Sequence, residues 1–228
     1  MTQKTQTKRG GARMKILDNV NQTVRNDLAE TIKKGSKLSI ASACFSIYAY
    51  QELKRQLDGV EQVRFIFTSP TFIQEKTPKS QREFYIPRLN RERSLYGTEF
   101  EIKLRNELTQ RAIAKECADW IRKKVSFKSN KTQELMTGFL TVDETTYMPF
   151  GSFTTVDLGC ERGNNLYNFV QRTESFENGR QFIRLFDEIW QDERKLQDVT
   201  DIVLESITTA YRENSPDFIY FYTLYNIP

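Results

Sequence analysis

The feature that most constrains this chain is a strand–helix–strand pattern between residues 37 and 68. Lys37-Leu-Ser-Ile-Ala-Ser-Ala-Cys-Phe45 has the composition of a buried strand whose small side chains let neighbours pack closely. Ser46 follows where a helix needs a side-chain cap, and Ile47, Tyr50, Leu53 and Leu57 recur behind it at helical spacing. Asp58-Gly59 closes that helix, Val63-Arg-Phe-Ile-Phe-Thr68 supplies a second strand, and Ser69-Pro70 ends it. A helical crossover returns the chain to the end of the sheet it started from, so the two strands should be parallel. The fold class is therefore α/β.

The flanking segments extend this unit. Val20, Val24, Leu28 and Ile32 predict a helix from about Asn19, with Gly35 placed to end it. A long helix is expected from about Lys103 to Lys124, with Leu104, Leu108, Ala112, Cys117, Trp120 and Ile121 as its apolar face. Arg122-Lys-Lys124 suits the negative end of that helix. Strands are expected over Val125 to Lys128, Leu135 to Val142 and Thr145 to Phe150, the last two joined by a tight turn at Asp143-Glu144. Beyond Gly163 the pattern is mainly helical. Phe182, Leu185, Phe186 and Ile189 line one helix, and Val199, Ile202, Val203, Ile207 and Ala210 line another. The aromatic ending, Pro216 to Pro228, reads as a helix running into something further.

Charge is unevenly placed. The formal net charge is +4, yet Lys4, Lys8, Arg9, Arg13 and Lys15 all precede the first acid, Asp18, which leaves the remainder close to neutral. A basic tail over 1–13, expected to be disordered, is either a nucleic-acid arm, with Arg9 and Arg13 as contacts, or a solubilising start. A second basic segment places Arg82, Arg88, Arg91 and Arg93 among Phe84, Tyr85 and Tyr96. That mixture can clamp phosphates and stack bases, or it can be a solvated excursion whose aromatics fold back onto the domain.

Several function classes are disfavoured. The chain has no histidine, and Cys44, Cys117 and Cys160 are widely spaced, so no zinc site of the usual kind is expected and no cofactor is assigned. No Walker A pattern and no DEAD or DEAH box occurs. No apolar run reaches the roughly 20 residues of a membrane span, and no secretory signal is evident, so the expected location is cytoplasmic, with no membrane partner.

One segment carries a more specific signal. Met136-Thr-Gly-Phe-Leu-Thr-Val-Asp143, followed by Gly151-Ser152-Phe153-Thr154, resembles the second half of the phospholipase D motif, H-x-K-x4-D and then G-S-x-N. In that chemistry the histidine attacks phosphorus, the lysine neutralises phosphate oxygens, and the glycine-serine turn donates hydrogen bonds beside the phosphate. Here Met136 stands at the nucleophile position, Gly138 at the lysine position, and Thr154 where asparagine is usual; Asp143, Gly151 and Ser152 persist. A hairpin would set positions 136 and 138 on one strand face.

The wider layout looks like the degenerate phospholipase-D-like N-terminal domain of bacterial superfamily-two helicases, of Swi/Snf-like or DEAD/DEAH type. Leu38-Ser-Ile-Ala-Ser-Ala-Cys-Phe-Ser46, Val63 to Thr68, Arg82 to Gly97 and Phe218 to Tyr225 carry that resemblance. It implies a phospholipase-D-like mixed, largely parallel sheet flanked by helices, with a C-terminal helical extension. It divides the chain into a tail (1–13), the phospholipase-D-like domain (14–172) and an extension (173–228) leading toward an absent motor. The implied role is a non-catalytic accessory module of an ATP-dependent helicase, engaging DNA or RNA or regulating the motor in cis. An alternative is a dimerisation module that pairs across the motif face, with Met136 and Phe139 as contacts.

Overall fold

A computed structural model describes residues 13–70, 107–132, 134–161 and 168–209. The candidate cations Arg9, Arg82, Arg88, Arg91 and Arg93 lie outside these residues, as does the aromatic ending.

Two strands, β2 (Lys37–Ser42) and β3 (Gln62–Phe67), pair in parallel, and α2 (Ile47–Leu57) crosses between them. Ser46 caps α2 by accepting from the Tyr48 and Ala49 backbone amides, the role its position predicts. A longer crossover ends in α3 (Glu107–Lys124) and sets β4 (Val125–Asn130) parallel to β3.

The remaining strands correct the expectation of a largely parallel sheet. The hairpin of β5 (Phe139–Val142) and β6 (Thr145–Met148) joins β2 antiparallel. Beyond it, β7 (Val170–Glu174) and β1 (Arg13–Leu17) add two more antiparallel strands, and β8 (Leu196–Asp198) pairs antiparallel with β4. The order is β1-β7-β6-β5-β2-β3-β4-β8, with only the β2–β3 and β3–β4 junctions parallel. Hairpin and return connections impose antiparallel pairing, whereas only the two helical crossovers deliver parallel strands.

Three strand assignments lie outside the expected pattern. Arg13 opens an edge strand rather than ending a tail. The segment beyond Gly163 is mainly helical among the described residues, as expected, but it also sends two short strands, β7 and β8, into the same sheet, and β7 runs across position 172. Their polar sequences, Val-Gln-Arg-Thr-Glu and Leu-Gln-Asp, hide the period-two signal.

Alternation along each strand divides the core in two. Leu38, Ile40, Val63, Phe65, Phe67, Phe127, Leu140 and Val142 face α1 (Val24–Thr31), α2, α3 and α5 (Thr200–Thr209) in the main cluster. Ala41, Ile66 and Phe139 face the opposite way and meet Phe182, Phe186, Ile189 and Trp190 of α4 (Phe176–Gln191). Arg64 and Lys128 pin that helix. The Arg64 guanidinium lies 2.7 Å from Asp187 and 4.9 Å from the Phe186 ring centroid, and Lys128 Nζ donates to the Trp190 carbonyl at 2.8 Å. The first helix begins five residues later than the apolar spacing suggests. Thr23 is its cap, and Val20 is exposed in a turn organised by Asp18, whose carboxylate accepts the backbone amides of Val20, Asn21 and Gln22. Those bonds hold the Asp18 carboxyl well below the usual carboxylate range.

Candidate functional site

In a sheet with parallel strands, ligands bind outside the carboxyl ends of those strands. Here that end carries Ser42, Cys44, Thr68 and Asn130, and the degenerate motif arrives there from β5 and β6. Asn130 organises the approach. It is buried; its side-chain amide donates to the Thr68 and Glu134 carbonyls, and its oxygen accepts from Thr132.

The expected strand from Leu135 begins only at Phe139. Leu135 is fully exposed, and residues 134–138 form a link without regular secondary structure and without a ladder to β2. Positions 136 and 138 therefore do not share a strand face. Met136 is half-buried and packs with the cluster beneath α4. Gly138 lies against the chain that follows β6: its carbonyl accepts from Phe150 N at 2.9 Å, and a Cβ there would stand 2.1 Å from the Phe150 carbonyl oxygen and 3.1 Å from that of Ala41. Backbone on two sides fills the space where a lysine side chain would begin.

The glycine-serine segment reaches the same end. The Gly151 carbonyl accepts from Ala43 N at 2.9 Å and Ser42 Oγ at 3.1 Å, and Phe153 pairs with Phe45 in a parallel bridge. This strap of 151–153 crosses the carboxyl end of β2, and Ser152, half-buried, sits on it. Thr154 turns inward: its hydroxyl donates to Asp157 at 2.7 Å and accepts the Asp157 amide, fixing a turn whose Leu158 carbonyl receives Arg25 N.

Asp143 is elsewhere. It occupies the β5–β6 turn in the left-handed region (φ 50°), where its backbone amide and carboxylate bind the Lys37 carbonyl and amide. Lys37 starts β2 and Ser42 ends it, so Asp143 is separated from Gly138 by the length of β5, about 15 Å. The geometry thus sets Gly138 and the strap that carries Gly151 and Ser152 at the carboxyl end of β2, packs Met136 beneath α4, and leaves Asp143 at the opposite end as a turn residue. Phe139, expected as an interface contact, is 3% exposed and covered by Phe182 and Phe186. Arg13 is exposed at the sheet edge opposite Glu174 of β7, remote from this end.

Sequence reasoning missed a second polar constellation. Asp27 of α1, 7% exposed, accepts from Tyr147 Oη at 2.7 Å and Lys15 Nζ at 3.0 Å, and lies 2.9 Å from Arg172 Nε. The Arg172 contact is one of charge rather than an aligned hydrogen bond. Burial pushes the Tyr147 phenol above its ordinary range. An aspartate beside Val24 and Leu28 was the available signal, because a carboxylate next to an apolar stripe needs buried partners.

Among the described residues no helix is long and apolar enough to cross a membrane, and no group of three or more His, Cys, Asp or Glu could hold a metal ion. No family model and no curated protein matches the chain. Several solved structures are similar to it. Nuc from Salmonella typhimurium, a phospholipase D family member, is 13% identical over 82% of this chain and 98% of its own, with a TM-score of 0.44. NucT from Helicobacter pylori is 11% identical over 79% and 97%, with a TM-score of 0.43. A phosphatidylserine synthase from Haemophilus influenzae is 8% identical over 93% of this chain and 46% of its own, with a TM-score of 0.48.

Proposed function

We propose that this chain is a phospholipase-D-like module without phosphodiester chemistry, serving as an accessory domain of a helicase-like protein in nucleic-acid engagement or motor regulation. The observation that carries the inert part is Gly138. A missing lysine could be a recent loss in an intact pocket, but here the Phe150 carbonyl occupies the first atom's place. Met136 cannot form a phosphoramidate, and no histidine elsewhere in the chain can substitute. What supports the helicase context is the sequence resemblance over residues 14 to 228, with an ATP-dependent motor expected in cis.

With the pocket closed, nucleic acid would be held by surface cations through its phosphates, and affinity would fall with salt in proportion to the contacts made. Arg82, Arg88, Arg91 and Arg93 are the first candidates and Arg9 and Arg13 the second. Replacing the four loop arginines with alanine and titrating single- and double-stranded DNA and RNA at several salt concentrations tests this. The expected result is weaker binding with a shallower salt slope. Unchanged affinity and slope would remove the loop from the interface.

A further inference from the structure

The sheet has two edges of different character. At one, β8 is three residues long, the usual way an edge is kept from recruiting strangers. At the other, β1 runs for five residues, Arg-Met-Lys-Ile-Leu, with neither proline nor glycine, and among the described residues it pairs with β7 alone. Its alternation is chemically sorted. Lys15 and Leu17 face α1, where Lys15 meets Asp27 and Leu17 joins the core, and Arg13 shares their side of the strand. Met14 and Ile16 face the other way and are 64% and 53% exposed. Register places Ile16 beside Gln171, and Gln171 beside Met148, itself exposed. Phe169, just before β7, is exposed as well. On the α4 side of the sheet these four side chains stay exposed, although α4 reaches β5, β6 and β7.

We infer that β1 is a docking strand that takes an extended segment of another protein, adding a ninth strand in which carboxylates alternate with apolar side chains. Main-chain groups of the open edge would supply affinity, and alternate side chains would supply selectivity. Charge complementarity picks the partner: Arg13 and Lys15 on one face call for acids opposite them, while Met14 and Ile16 call for apolar neighbours. The first seventeen residues hold five cations, Lys4, Lys8, Arg9, Arg13 and Lys15, and no acid, which outweighs Glu174 facing Arg13 from β7 and favours an acidic segment at the start of β1. A second copy of this chain fits less well, since antiparallel pairing centred on the strand would set Lys15 against Lys15. A nucleic-acid backbone has no use for the apolar row.

The test uses the full chain and a fluorescein-labelled peptide, Gly-Glu-Val-Glu-Ile-Glu-Val-Gly, with three comparators: the same composition scrambled, lysine in place of glutamate, and a single-stranded DNA oligonucleotide. The expected result is anisotropy binding of the alternating peptide at least about tenfold tighter than of either peptide comparator. R13E and I16E, each shown by circular dichroism to remain folded, should lose that preference, and amide exchange should slow at residues 13–17 when the peptide is added. Equal binding of the scrambled peptide, displacement of the peptide by the oligonucleotide, self-association that occupies residues 13–17, or no exchange protection there would each overturn the proposal.

Discussion

At Gly138 the first carbon of any side chain would meet the Phe150 carbonyl oxygen, on a residue whose own amide is tied to the Gly138 carbonyl. Gly138→Ala should therefore destabilise the fold by about 2–3 kcal/mol, read as a lower denaturant midpoint with an unchanged slope. A midpoint equal to the parent chain's would mean that the Phe150 backbone yields. Asp18 gives a residue-scale prediction with a pH signature. Its carboxyl is held below the usual range by backbone amides that the unfolded chain does not offer, so its contribution is present above the unfolded value of about 4 and fades as pH falls through and below it. Asp18→Ala should lower the melting temperature at pH 7, and the gap to the parent should narrow on acidification below about pH 4. A gap of constant size from pH 7 to pH 2.5 would contradict that account.

At the scale of elements, the Asp27 constellation fastens α1 to three strands that share no local sequence signal, through Lys15 of β1, Tyr147 of β6 and Arg172 of β7. Removing the carboxylate takes a charged acceptor from Tyr147 and Lys15 and leaves Arg172, 17% exposed, with Glu174 alone, so Asp27→Ala should cost about 2–3 kcal/mol, against about 1 kcal/mol for Tyr147→Phe. Equal and small effects from both would show that solvent screens the cluster. The same elements explain what was legible in the sequence. The β2–α2–β3 unit could be read because Ser46 and the apolar spacing of α2 act locally and agree with each other. The β1 and β7 strands could not, since their stability comes from cross-strand partners and the buried ion pair rather than from an apolar alternation. The first helix was placed too early because Val20 continues the spacing, while the turn that Asp18 holds takes Val20 out to solvent. At the site, the sequence exposed the missing histidine and lysine. It could not show that positions 136 and 138 precede the strand, or that a strap from β6 closes over them.

Among the described residues, a mixed eight-stranded sheet is well sealed on one side by four helices and lightly covered on the other by α4, of which only Gly179 and Phe186 are buried. Loosening that cover should expose the carboxyl end of the sheet without dissolving the main core. Phe186→Ala is expected to cost about 3–4 kcal/mol and to speed amide exchange in β5 and α4 ahead of β2 and β3; uniform acceleration across the sheet would contradict a separable second face. The central claim is that this fold persists with its phosphodiester chemistry closed off by backbone. The most direct measurement is hydrolysis of bis(p-nitrophenyl) phosphate by the purified chain, alone and as the double variant M136H/G138K, from pH 4 to 9. The account predicts no turnover above buffer for the parent chain, and none for the variant either, because the lysine has nowhere to enter. Turnover by the parent that disappears on substituting Ser152, or turnover gained by a folded M136H/G138K protein, would contradict it.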